Sequence, residues 1–220
     1  MTADGRLALV DVDGTLTPVR SIWQHLLEAI GRWDPEGSRH LDHFLAGEID
    51  YDEFCRRDAL LFAGVPYASL QAIAGDVPLH PGSLDLLRGL RDRGFRVALV
   101  STGLRVLTDR LERLATVDAC VANDLEAIAG ICSGRAVVEV HEHDKGKHAA
   151  HLIERFRSTF TIAVGDGSAD VPMFERADLG IAVGEASLSA REAAHAVVPT
   201  WDADALLAMI DAATGDRWSA

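Results

Sequence analysis

Short apolar runs alternate with amphipathic stretches along this chain, the pattern of a parallel β-sheet whose faces are covered by helices. Runs at residues 7–12, 95–100, 119–122, 160–164 and 179–183 predict strands, with a short sixth at 196–198. Leu104, Leu107, Leu111 and Leu114 share one stripe at helical spacing, and Leu152, Ile153 and Phe156 begin a second. Ala205, Leu206 and Ile210 mark a closing helix. Between the first and second strands the alternation stops. Residues 18–79 carry apolar positions at helical spacing only, among them Ile22, Trp23, Leu26, Leu27, Phe54 and Leu61, punctuated by Pro35, Gly64, Pro66 and Pro78. About 60 helical residues are too many for one crossover connection. The expectation is therefore an inserted helical cap over 18–79 on a core formed by 1–17 and 80–220. After Gly130, residues 131–140 alternate in part around Gly134 and predict a β-hairpin flap beside the sheet.

The strand ends carry the chemistry. The first runs into Asp11-Val12-Asp13-Gly14-Thr15. Alternation along a strand places Asp11 and Asp13 on one side of its carboxyl end, the edge where open α/β sheets bind ligands. Carboxylates so close repel unless a cation sits between them, and hard oxygen ligands suit Mg²⁺. Read alone, Asp-Gly after a strand is also ordinary turn chemistry. The strand at 160–164 ends in Gly165-Asp166-Gly167-Ser168-Ala169-Asp170, and two such ends bring four carboxylates around one point. The strand at 95–100 leads into Ser101-Thr102-Gly103, whose hydroxyls and backbone N–H groups at a helix start suit phosphate oxygens. Asp144-Lys145-Gly146-Lys147 opens the helix before the Asp166 strand, and a lysine there neutralises phosphate charge and steadies crowded carboxylates. By itself that run is a solvated charge cluster.

Composition narrows the classes. With 21 Lys and Arg against 34 Asp and Glu the formal charge is −13, which excludes a general nucleic-acid binder and an anionic-membrane protein. An anionic substrate needs a metal or local cations against this field. Three cysteines without a CxxC pair suggest neither a disulfide framework nor a zinc ribbon. No apolar run reaches the roughly 18 residues of a membrane span, the N-terminal run is too short for a signal peptide, and a cytoplasmic setting is expected.

In order and spacing, DVDGT, STG, DKGK and GDGSAD resemble the motifs of the haloacid dehalogenase superfamily over essentially the whole chain, and the small helical cap is most similar to the phosphoserine phosphatase branch. The cap run Gly47-Glu48-Ile49-Asp50-Tyr51, with Phe54, is similar to that branch as well. The resemblance implies an α/β, Rossmann-like core and a Mg²⁺-dependent phosphatase. Asp11 is then the nucleophile that forms an aspartyl-phosphate. Asp13 is the acid/base, and its presence favours phosphoryl transfer over dehalogenation. Ser101 binds the phosphoryl group with the N–H groups of Thr102 and Gly103. Lys145 is the motif lysine, with Lys147 the other choice. Asp11, Asp13 and Asp166 hold Mg²⁺, with Asp170 in support. In the phosphoserine branch a glutamate after the first motif and a cap arginine grip the amino acid. Ungapped alignment puts Arg20 and Asp58 there, a reversal of charge at both, although Arg56 and Arg57 lie within a small register shift. Arg20 and Asp58 are expected to line the substrate pocket, the alternative being a surface ion pair.

His141, His143, His148 and His151 surround Lys145, and their spacing admits zinc or nickel as a minor alternative. Trp23, Trp33 and Trp201 read as packing residues, with Trp23 the one placed to face substrate. The expected function is hydrolysis of a small phosphorylated metabolite by a monomer or homodimer. The alternatives are phosphoryl transfer to an acceptor alcohol and a non-catalytic Mg²⁺ or phospho-ligand binding domain.

Overall fold

The computed structural model describes residues 5–218. Seven strands form one sheet in the order β4-β3-β2-β1-β5-β6-β7. These are β1 (Arg6–Val10), β2 (Phe95–Leu104), β3 (Ala119–Ile128), β4 (Ile131–Val137), β5 (Phe160–Gly165), β6 (Leu179–Val183) and β7 (Ala196–Val198). All neighbours are parallel except β3 and β4. The helices are α1 (Ile22–Ala29), α2 (Ser38–Leu45), α3 (Tyr51–Leu61), α4 (Tyr67–Asp76), α5 (Ser83–Asp92), α6 (Arg105–Leu114), α7 (Lys145–Phe156), α8 (Val171–Phe174), α9 (Leu188–Ala193) and α10 (Ala203–Trp218).

β1 is central and buried on both faces, which is why its sequence is a continuous apolar run. Ala8 and Val10 enter one hydrophobic cluster, Leu7 and Leu9 the other, as strand alternation requires. The first cluster continues without a break into the helices between β1 and β2, through Ile22, Leu26, Ala59, Phe62 and Leu70. Ser21 caps α1 by accepting from the Gln24 N–H, and Asp50 caps α3 by accepting from the Glu53 N–H. Fully buried Phe62 packs against Trp23 with ring centroids 6.3 Å apart, and burial of such a ring is worth roughly 1.5–3 kcal/mol.

Register positions the chemistry. Val10 pairs with Leu99 on one side and Val164 on the other, so the residues that follow these three emerge together at the carboxyl edge.

Three strand boundaries differ from the sequence reading. β1 ends at Val10, and Asp11 and Val12 lie beyond it, before a turn over residues 14–16 held by the Leu16 N–H donating to the Val12 carbonyl. β2 runs through Ser101-Thr102-Gly103 to Leu104, with a register irregularity against β3, so this segment is extended backbone and the helix starts only at Arg105. The hairpin is real, but its first strand is the extension of β3, and its turn lies at Ala129-Gly130 instead of Gly134. Both turn residues have positive φ, 51° and 80°, the geometry whose twist matches a two-residue hairpin.

Candidate active site

Asp11 leaves β1 with its N–H on the Val164 carbonyl at 2.9 Å, which brings its side chain over the end of β5. Lys145, first residue of α7, reaches the same point from the other face. Its Nζ lies 2.5 Å from Asp11 Oδ1 and 2.6 Å from Asp170 Oδ1, and all three side chains are almost fully buried. Lys147 is exposed and pairs with Asp144 at 2.9 Å, so the structure places Lys145 at the centre and Lys147 on the surface. Thr15, wholly buried, bonds Asp11 Oδ2 at 3.1 Å and Asp166 Oδ1 at 2.9 Å with one hydroxyl. Asp170 folds back beneath: its Oδ2 accepts the N–H groups of Asp166 and Gly167 at 2.9 and 2.8 Å, which holds the β5 turn in place.

Crowding shows in the titration of these groups. Burial, with the Asp170 carboxylate next to it, pushes Asp11 up to about 7, and Lys145 opposes the rise. Asp13 is pushed up to about 7, chiefly by burial and against the pull of the Ile22 N–H bond, and Asp166 to about 6 by burial and Asp170. The two carboxylates hold Lys145 well above its usual value in spite of its burial.

Oxygens of Asp11, Asp166 and Asp170 lie within 4.8 Å of one another, the one group of three or more metal-capable side chains among the described residues. Such a buried set of carboxylate oxygens, with the carboxyls of Asp11 and Asp166 pushed up by burial, fits a hard divalent cation. Asp170 spends Oδ1 on Lys145 and Oδ2 on two backbone N–H groups, whereas Asp11 and Asp166 share the Thr15 hydroxyl and both line the cleft, which makes these two the better placed to hold such a cation. The side chain of Asp13, expected among the ligands, is outside this group. Its Oδ2 accepts the Ile22 N–H at 2.8 Å, and its Oδ1 is buried without a hydrogen-bond partner.

Ser101 is buried, and the Gly103 N–H donates to its Oγ at 2.9 Å instead of standing free for a phosphate. Only glycine fits at 103, because a Cβ there would lie 2.7 Å from Asp13 Oδ2 and 3.0 Å from Ser101 Oγ. The Thr102 carbonyl collects three donors: Asn123 Nδ2 at 2.9 Å, Trp23 Nε1 at 3.2 Å and the Tyr51 hydroxyl at 3.4 Å. Asn123 is fully buried, donates also to the Val140 carbonyl at 3.0 Å, and accepts the N–H groups of Glu139 and Val140 at 2.8 Å each. One amide thereby ties β3, the Ser101–Gly103 segment and the approach to α7. Neither Asn123 nor the bridging role of Thr15 was visible as a site feature in the sequence. The Asp-Gly-Thr motif contained Thr15, and nothing in the run around Asn123 marked it.

A cleft of about 180 Å³ lies among Asp11, Asp13, Arg20, Thr102, Lys145 and Asp166. Arg20 stands at its mouth, 59% exposed, donating to the Glu185 carbonyl at 2.6 Å and 3.7 Å from Asp166 Oδ2. Asp58 does not join it, either at the cleft or in an ion pair. It is 1% exposed and bonds His40 at 2.8 Å, because α3 turns Cys55, Asp58 and Ala59 inward together. Arg56 and Arg57 are both held by Glu53 at 2.7 Å. Among the described residues, none of His141, His143, His148 and His151 belongs to a group of three or more metal-capable side chains: His141 bonds Asp52 at 2.8 Å, His148 the Glu139 carbonyl at 2.9 Å, and His143 sits beside Glu142.

A mostly parallel α/β sheet gathers buried carboxylates, a lysine and a hydroxyl at the carboxyl ends of its central strands. A family model for haloacid dehalogenase-like hydrolases matches residues 8–175, and the chain belongs to that family. It is 33% identical to a phosphoserine phosphatase of Streptomyces coelicolor over 88% of this chain and 47% of that one, and 32% identical to the phosphoserine phosphatase SerB2 of Mycobacterium tuberculosis over 96% and 52%. The chain thus spans about half the length of these two relatives. A phosphoserine phosphatase of Polaromonas is 30% identical over 94% of this chain and 91% of its own. A solved phosphoserine phosphatase–substrate complex superimposes with a TM-score of 0.80 at 25% identity, covering 92% of this chain and 97% of that one. Among the described residues no helix is long and apolar enough to cross a membrane.

Proposed function

We propose that this protein is a Mg²⁺-dependent phosphatase of small phosphomonoesters that works through an aspartyl-phosphate on Asp11. The observation that carries the reading is the chain of contacts in which Lys145 and Thr15 both bond Asp11 and Thr15 bonds Asp166, with the unpartnered Asp13 Oδ1 lining the same cleft. Asp11 and Asp166 would hold the cation, which when bound neutralises phosphate charge and aligns the ester with Asp11. Asp11, steadied by Lys145 and Thr15, attacks phosphorus: an O–P bond forms and the bond to the alcohol breaks. Asp13 is suited to protonate that alcohol from Oδ1, since a carboxyl near 7 is partly protonated at neutral pH. A water then attacks phosphorus and gives its proton to Asp13 Oδ1, the Asp11–phosphorus bond breaks, and phosphate leaves. Ser101 and Lys145 would hold the phosphoryl oxygens. The three free cysteines accord with a cytoplasmic setting.

Phosphoserine is not the substrate this pocket favours. Arg20 stands where the phosphoserine branch is expected to use a glutamate, and the residue at the cap-arginine position, Asp58, is buried on His40. Phosphate release from a panel of small phosphomonoesters tests the whole reading, with Mg²⁺, with chelator, and with Asp11→Asn. Metal-dependent turnover lost in that variant supports it. Turnover that survives Asp11→Asn refutes the covalent route.

A further inference from the structure

The 180 Å³ cleft holds a phosphoryl group but little more, so the rest of any substrate must leave it. At one wall of the cleft, Trp23 and Tyr51 are pinned by their polar ends to the carbonyl of Thr102, and Cys55, Ala59 and Phe62 of the same hydrophobic cluster are buried with essentially no exposure. Arg20 is an exposed side chain of the lining. Its side chain lines both the cleft and a larger neighbouring cavity of about 510 Å³, which is reached from Gly14 and walled by His80, Glu185, Thr200 and Trp201.

This second cavity is a built surface. The imidazole of His80 stacks on Trp201 at 5.0 Å with planes 20° apart, and Trp201 is fixed by Nε1 donating to the Pro81 carbonyl at 2.9 Å. Partial burial lowers the His80 pKa. Pro18, Pro81 and Pro199 complete the apolar part, and Arg20 and Glu185 supply one charge of each sign at the rim. Flat, rigid, mostly uncharged walls select a planar group, because stacking needs no ordering of flexible side chains.

We propose that the cavity beside Arg20 is the leaving-group subsite and that it takes phosphomonoesters whose alcohol carries a planar aromatic or heteroaromatic ring. This rests on the phosphatase reading above and adds the substrate class to it. The ring lies against the His80–Trp201 stack while the phosphoryl group occupies the cleft, and Arg20 sits between the two. A chain such as phosphoserine has nothing to place there.

The test compares Trp201→Ala and Trp201→Phe with the wild type on p-nitrophenyl phosphate, a nucleoside 5′-monophosphate and glycerol 3-phosphate. In Trp201→Ala the kcat/KM ratio of the preferred ring-bearing ester to glycerol 3-phosphate is expected to fall about ten-fold, through KM, and Trp201→Phe to restore it within about two-fold. A ratio that does not move, or a wild type that prefers glycerol 3-phosphate, overturns the subsite. Calorimetric binding of the nucleoside monophosphate to the Asp11→Asn protein separates the two readings. Binding weakened about ten-fold by adding Trp201→Ala, in a protein without turnover on any ester, sinks the phosphatase reading and leaves the subsite standing. Turnover with binding indifferent to Trp201 does the reverse.

Discussion

Replacement of Lys145 by alanine isolates the electrostatics of this site. The ammonium is 2% exposed and holds two carboxylates at 2.5 and 2.6 Å, so its removal leaves buried negative charge uncompensated. Breaking a buried ion pair from one side typically costs about 3–5 kcal/mol, a large part of the 5–15 kcal/mol that stabilises an ordinary domain. The cost depends on pH in a way that tests its origin. Asp11 is already raised to about 7 by burial, and Lys145 is what keeps it from rising further. Below pH 7 Asp11 is protonated in both proteins and adds nothing to the difference between them. Above pH 7 the wild type ionises Asp11 beside its lysine, whereas the variant retains the proton when folded and loses it when unfolded. A carboxyl with a raised folded pKa loses stability as pH rises towards that value, by about 1.4 kcal/mol per unit. The deficit of Lys145→Ala should therefore be smallest near pH 5 and widen by about 1 kcal/mol between pH 7 and 8, where Asp11 of the wild type passes from half to nearly full ionisation. Urea denaturation at pH 5, 7 and 8, with chelator present so that no divalent cation replaces the ammonium, reads it directly. A deficit that stays flat or narrows with pH would show that Lys145 contributes by packing and not by charge.

Two further substitutions probe the frame around the carboxylates. Asn123→Asp puts a carboxylate against the carbonyls of Thr102 and Val140, which its amide now satisfies at 2.9 and 3.0 Å; stability should fall by about 1–3 kcal/mol, and kcat by about ten-fold with a much smaller change in KM, checked by denaturation and steady-state kinetics. Gly14→Ala meets both a φ of +79° and the Asp166 carboxyl, whose Oδ1 a new Cβ would approach to 2.6 Å, whereas Gly64, with the same φ, has nothing within 4 Å of such a Cβ. Both variants should lose about 1–3 kcal/mol in thermal or urea melts, but only Gly14→Ala should need more Mg²⁺ for half-maximal phosphate release.

Much of the fold was legible because β1 and β5 are buried on both faces and therefore read as largely apolar runs, each followed at once by an aspartate. Parallel register then does the rest: with Val10 level with Leu99 and Val164, residues far apart in sequence meet at one edge, so the meeting of Asp11 with Asp166 followed from strand ends, whereas Ser101 lies inside β2. Boundaries were less legible. Ser101-Thr102-Gly103 has the residue types of a helix start, yet Asn123, Trp23 and Tyr51 all pull on the Thr102 carbonyl and keep this backbone extended. Tertiary hydrogen bonds of that reach leave no trace in local composition.

Asp58 shows the same limit from the side of specificity. Counting along α3 places it where a substrate-gripping residue is expected, but the inward face of that helix runs through Cys55, Asp58 and Ala59, and His40 on α2 supplies the partner that a buried carboxylate requires. Arg20, by contrast, follows a turn whose path is dictated by Gly14 and by the Thr17 hydroxyl bonded to the Pro78 carbonyl, and it emerges at the cleft as its position implied. Spacing thus locates a residue near a site when a strand end anchors it, and fails when only a helix face does. On a helix, one residue's difference in position turns the side chain by about 100°, enough to exchange a substrate contact for an internal hydrogen bond.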